Sequence, residues 1–444
     1  MAQFTEAEAR ALLEKVQKLS RADAIELSLT GTESGNIRWA RNTVSTAGRT
    51  DNLALGIRSH FGRKVGATTC NEFDDAALER AVRRAEELAR LAPEDPEYMA
   101  PLGAQPYRPV HSFHESTAGL SAEQRAQVCG ESIAAAKAKQ GVAAGFLSHN
   151  ATWVALANSN GLWGYHRQTG VNLTVTVRTE DGLGSGFGTR DANDFARLDA
   201  AAASRIAAEK AIASRDARAI EPGKYTVILE PAASVDLLQQ MVLQMDARNA
   251  DEGRSYLSKK GGGTKLGEQL VDERVTIISD PRHPGAETGP WSADGRPQER
   301  RVWIENGVVK QLAYSRYWAE KQGVPPVPGP ANLVMSGGTA SLEELIRGTE
   351  RGVLVTRTWY IRPVDPQTLL YTGLTRDGTF YIEGGKIKHA VKNFRFNESP
   401  VIMLNNLDAL GVPVRVRNAE TALTSVIPPM RVRDFTFTSL SDAV

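Results

Sequence analysis

"SRDARAIEPGKYTVILEPAASVDLLQQMVLQ", residues 214–244, is the stretch on which the reading of the fold turns. Its first part is polar and carries Pro222-Gly223, a breaker pair that marks a boundary. "KYTVILE" then reads as a strand, and Pro231 suits the first position of a helix. Val235, Leu238, Val242 and Met245 recur at helical spacing. The expectation is an amphipathic helix with Gln239, Gln240 and Gln244 on its outward polar face.

The pattern differs on the two sides of this boundary. Upstream, "AIELSLTG", "NIRWARNTVSTAG" and "NLALGIRSHFG" alternate like strands. The segment from Phe73 to Tyr98 reads as a helix capped by Asp74 or Asp75, lined by Leu78, Val82, Ala85 and Leu88, and stopped by Pro93. Thr5 with Glu8 and Ser121 with Gln124 have capping-box spacing. Ser159–Gly161 marks a hairpin, and an Ala-rich helix is expected over 194–214. Downstream, strands dominate, with hairpins around Asn306-Gly307 and Gly384-Gly385. The fold class read from this is α+β, with an α/β N-terminal domain, 1–218, and a β-rich C-terminal domain, 219–444.

Composition excludes several function classes. The chain has 444 residues, enough for two domains, with 53 Lys+Arg against 52 Asp+Glu and a net charge of +1. That balance offers no basic surface for nucleic acid and no acidic tail. No apolar run approaches the roughly 18 residues of a membrane span. The first 20 residues read as an amphipathic helix with Leu12, Leu13, Val16 and Leu19 on one side, not as a signal peptide. The two cysteines, Cys70 and Cys129, cannot build a disulfide framework, Cys129 reads as core, and the cytoplasm is the expected compartment.

Candidate chemistry is sparse. Of seven histidines only His111 and His114, with Glu115, cluster locally, and no third zinc ligand lies near them. "KKGGGTKLGE" lacks the order of a phosphate-binding loop and reads as flexible. Glu252, Asp272 and His283 are available to an independent hydrolase, but their spacing does not favour one.

The succession "ARNTVSTAGRTDNLALGIRSHFGRKVGATTC", "NSNG", "PGKYTVILEPAASVDLL", "GRSYLSKKGGGTKLGEQLVDERVTIISDP", "GVLVTR" and "YIEGGKI" resembles the TldD/PmbA family over nearly the whole chain. Catalytic members carry H-E-x-x-x-H after the strand that ends in a Pro motif, and a Cys ligand near the C-terminus. Partner chains of the TldE type lack these ligands. Counted from Pro231, the motif positions here are Gln239, Gln240 and Gln244, and no Cys follows Cys129. A neutral amide is a poor zinc ligand, and Gln240 cannot take a proton as Glu can. Two ligands five residues apart are turned about 140° from each other on a regular helix. The family's Gly before the second His could relieve this, but the position is Leu243 here.

The resemblance therefore implies a non-catalytic, TldE-like subunit of a heteromeric zinc metallopeptidase acting on peptides or unfolded segments. It would hold no cofactor itself, the zinc sitting in a TldD-like H-E-x-x-x-H partner chain. The alternative is a stand-alone peptide-binding or regulatory homo-oligomer. "GVLVTRTWYIRP" is the candidate edge strand for peptide addition, with Arg357, Tyr360 and Arg362 as possible peptide-binding residues. Trp303, Tyr314, Tyr317, Trp318, Trp359 and Tyr360 are candidate interface anchors, to be divided between interface and core.

Overall fold

In the first half, strand alternation builds one sheet. The computed structural model describes residues 4–418 and 420–441. Six antiparallel strands, β1 (Ala24–Ala40), β2 (Thr43–Phe61), β3 (Lys64–Cys70), β4 (Gly141–Asn158), β5 (Trp163–Thr179) and β6 (Ser185–Ala192), lie in the order β3-β2-β1-β4-β5-β6. Leu27, Leu29, Ile37 and Trp39 of β1 share a face by alternation, as do Leu147 and Trp153 of β4 and Val171 to Val177 of β5. Helices cover that face. At one end sit α1 (Glu6–Leu19) and α2 (Asp75–Leu91), and at the other the short α3 (Glu115–Ala118), α4 (Ala122–Lys137) and α5 (Ala200–Ala213). Both predicted capping boxes form, and Asp74 caps α2. The Ala-rich helix starts later than expected, at Ala200, because Asp199 caps it and a 3-10 turn occupies Phe195–Arg197. Cys129 is buried in this core.

The second half closes a barrel. β7 (Gly223–Leu229) leads into α6 (Pro231–Leu243) and α7 (Ala247–Asp251). A second six-stranded sheet includes β8 (Ile277–Ser279), β9 (Arg301–Glu305), β10 (Val308–Val309) and β11 (Leu333–Met335), while α8 (Arg316–Gln322) and α9 (Leu342–Arg347) lie outside it, Leu345 of α9 packing with Ile228, Leu354 and Phe380. Next come β12 (Arg351–Asp365), β13 (Leu370–Glu383), β14 (Lys386–Ala390), β15 (Phe394–Glu398), α10 (Pro400–Asn405) and β16 (Leu407–Leu410). β17 (Val414–Val416), β18 (Ser425–Ile427) and β19 (Met430–Leu440) complete the chain. β12, β7, β19, β15 and β13 pair in succession, and β13 returns to β12, so the five form a closed ring. Closure removes sheet edges. Both predicted hairpin turns are present, β9–β10 and β13–β14.

Two expectations need correcting. The helix over 231–243 is not amphipathic. Ten of its thirteen residues are buried, Gln239 among them, because the second sheet, β12 and the segment after β17 enclose it. It also does not continue regularly past Leu243, which is exposed, since Gln244 is its C-cap at φ −97°. Of the aromatic interface candidates, Trp303 and Trp318 belong to the main core.

Candidate functional site

Residues of α6 are the centre of a buried polar network. Gln239 Oε1 accepts the backbone N–H of Ala422 at 2.7 Å and of Leu423 at 2.9 Å, while its Nε2 donates to the Glu420 carbonyl at 3.1 Å. One turn earlier, the Asp236 carboxylate accepts from Asn418 Nδ2 and Thr421 Oγ1, each at 2.8 Å. Asn418 Nδ2 also reaches the carbonyls of Ala232 and Thr358. α6 thus holds the connection between β17 and β18 by side chain to backbone. Burial pushes Asp236 up to about 6, opposed by the hydrogen bonds from Thr421 and Asn418.

Gln240 and Gln244 meet at the phenol of Tyr371. Gln244 Nε2 donates to Tyr371 Oη, and that hydroxyl lies 3.5 Å from Gln240 Oε1. Asp236, Asn418, Thr421 and Tyr371 were not visible as a group in the sequence. Their only signal was the density of polar residues in an otherwise apolar helix.

This donor set does not suit zinc. Gln239, Gln240 and Gln244 supply neutral amides, and both ends of the Gln239 amide already serve the backbone of 420–423. Among the described residues no group of three or more His, Cys, Asp and Glu is placed to hold a metal ion. His114 Nδ1 lies 3.8 Å from Asp194 but gathers no further ligand. Glu252 pairs with Arg248 and Arg254, Asp272 pairs with Arg274, and His283 Nδ1 accepts from Gly285 N. Each is engaged locally, so the structure does not assemble them.

Of the three residues on β12, Arg357 turns inward. It is 8% exposed, pairs with Asp377 and lies 4.0 Å from the Phe187 ring. Asp377 also accepts from Ser185 Oγ, which ties the barrel to β6. Tyr360 is exposed at φ +55°, and Arg362 stacks on its ring at 4.1 Å while pairing with Glu420. β12 is no edge through Val355, where β7 and β13 flank it. Beyond that, Thr358 bonds to α6 and to Asn418.

Comparison with known proteins gives this arrangement a context. A metalloprotease of Methanothermobacter thermautotrophicus is 26% identical over 288 residues, 59% of this chain, and the match spans 60% of that relative's length. Metalloprotease PmbA of Escherichia coli O157:H7 is 21% identical over 440 residues, covering 93% of this chain and 92% of the relative. Among solved structures, TldE from Thermococcus kodakarensis superposes with a TM-score of 0.85 at 19% identity, covering 97% of this chain and 99% of that one. A Thermotoga maritima protein described as a modulator of a DNA gyrase gives 0.86 at 20% identity, covering 97% and 100%. At these identities the structural likeness speaks for the fold alone. Residues 25–89, 115–215 and 222–439 match, in order, domain 1, the central domain and the C-terminal domain of the PmbA/TldA metallopeptidases. The chain belongs to the PmbA/TldD family.

Proposed function

We propose that this chain is a non-catalytic, TldE-like subunit of a heteromeric zinc peptidase of the cytoplasm. A TldD-like partner carrying H-E-x-x-x-H supplies the metal and completes the enzyme, which acts on peptides or unfolded segments. The observation that carries this reading is the Gln239 clamp. The position where a catalytic chain needs its first His is given over to fastening the backbone of 420–423. A residue with that duty cannot also coordinate a metal and deliver a substrate to it. The two units of the fold correspond to 1–218 and 219–444 in this proposal, and Tyr360 and Arg362 on β12 touch the peptide, while Arg357, 8% exposed and paired with Asp377, is left out of that set.

The test is co-expression with an H-E-x-x-x-H homologue from the same genome. The expected outcome is a 1:1 complex by size-exclusion chromatography with light scattering. Cleavage of an unstructured peptide should then require both chains and the partner's metal. Separate elution at micromolar concentration, or a partner fully active alone, would replace this reading with the stand-alone peptide-binding homo-oligomer.

A further inference from the structure

Between the first sheet and the second half of the chain lies a cavity of about 580 Å³. Thr152 and Val154 of β4 with His166 and Gln168 of β5 bound it on one side, and Trp291 and Gln298 from the second half bound it on the other. The four strand residues share a face, since Val154 pairs with His166 and Thr152 with Gln168 in register. A volume of this size suits a small-molecule site.

Trp291 is fixed by three contacts. Its ring lies 4.8 Å from that of Tyr107 and meets His166 at 6.0 Å, with the planes at 78°. Tyr107 is itself anchored, its hydroxyl donating to the Gly295 carbonyl. Gly164 of β5 gives both rings room, because a Cβ there would stand 2.8 Å from Tyr107 and 2.9 Å from Trp291. The indole is therefore a pre-positioned flat surface at the cavity.

Gln298 adds a directed polar group. It is 6% exposed, and its Nε2 donates to the Gly329 carbonyl at 2.9 Å. A carbonyl only accepts, so the amide is oriented and Oε1 points elsewhere, without a hydrogen-bond partner among the described residues. A buried acceptor left unpaired is destabilising, and an N–H from a ligand relieves it.

Most other polar groups around the cavity are already engaged. Thr152 Oγ1 accepts from Asn150 Nδ2 at 3.2 Å and bonds to the Thr32 hydroxyl at 3.1 Å. Ser292 Oγ donates to Asp294, and Asp294 pairs with Arg296 at 2.7 Å. Burial pushes His166 down to about 4, so it carries no charge near neutrality. A charged ligand gains little from such groups, and a sugar, each of whose hydroxyls needs a partner, finds few. A flat ring with one or two polar edges fits both the indole and the unpaired oxygen.

We infer that this cavity binds a small, uncharged heteroaromatic ring bearing an N–H donor, a nucleobase or free nucleoside in chemical class, with the ring on Trp291 and the N–H on Gln298 Oε1. The net charge of +1 offers no attraction to a phosphate backbone, so the ring belongs to a free small molecule. Because the cavity is shared by both halves of the chain, its occupant stabilises the native fold. The inference stands apart from the peptidase-subunit reading, and neither needs the other.

The experiment titrates the purified full chain with adenosine, uridine and nicotinamide, followed by equilibrium dialysis and tryptophan fluorescence. At least one probe should bind saturably, quench the fluorescence and raise the melting temperature. Trp291→Leu should weaken binding about tenfold or more, as loss of a stacking platform does. Val154→Trp, which fills the cavity from a half-buried strand position, should do the same by dialysis if Trp291→Leu folds poorly. Glu87→Lys on α2 should change nothing. No saturable binding of any probe at millimolar concentration, or unchanged binding by both cavity variants, would overturn the inference. Equal binding of maltose would overturn the assignment to a heteroaromatic ring. Tighter binding of a single-stranded oligonucleotide than of the nucleosides would overturn the assignment to a free small molecule.

Discussion

Gln239 shows what one residue identity decides. Its amide satisfies two backbone donors and one backbone acceptor inside the protein. Gln239→Ala leaves those groups unpaired in a buried place, so we expect destabilisation of about 2–3 kcal/mol, measured by urea unfolding. Gln240→Ala should cost under about 1 kcal/mol, because Gln240 is half-buried and its phenol contact is long. Restoring His, Glu and His at 239, 240 and 244 should not create a zinc peptidase. The clamp on 420–423 would be lost and no Cys exists beyond Cys129. Robust zinc-dependent cleavage by that variant would refute this account of the site.

At the scale of the element, α6 is instructive because its hydrophobic stripe was legible and its surroundings were not. The stripe Val235, Leu238, Val242 and Met245 is buried as the periodicity requires. The opposite side is buried too, since strands far apart in sequence wrap it, and a periodicity argument sees one helix at a time. Asp236 follows from this enclosure. Held above the ordinary carboxylate range by burial, it keeps its proton in the native state to higher pH than in the unfolded chain. Its contribution is therefore full below pH about 4 and lost as pH rises through about 6, to a total of about 3 kcal/mol at most. His149 and His166 act in the opposite sense. Burial lowers both to about 4, so their contribution is present above about 6.5 and lost as pH falls. Melting curves of the native chain and of Asp236→Asn between pH 4 and 7 separate the two. The difference between them should grow with pH, and a flat difference would show that Asp236 is not held protonated.

For the whole molecule, the predictions concern metal and assembly. The purified chain should contain no stoichiometric zinc after mild dialysis, and a chelator should leave its melting temperature unchanged, since removal of a bound structural metal would lower it. One tightly held zinc per chain by elemental analysis would contradict the reading of the motif positions. Among the described residues no helix is long and apolar enough to cross a membrane.

The sequence by itself determined the local grammar. Capping boxes, hairpin turns and alternation in β1, β4 and β5 were all readable, because each depends on residues within a few positions of one another. Its family resemblance was readable from the order of segments. What only the tertiary structure decided are the pairings over long separations. β7 lies between β12 and β19, which closes the ring and leaves Val353–Val355 no edge. Arg357 turns inward because Asp377, reached across the irregular β12–β13 pairing, offers a buried carboxylate. Gln239 and Asp236 find their partners more than 180 residues downstream. Local pattern sets what a segment can form, but which polar group is satisfied by which is a property of strand register and closure, and those exist only once distant segments have met.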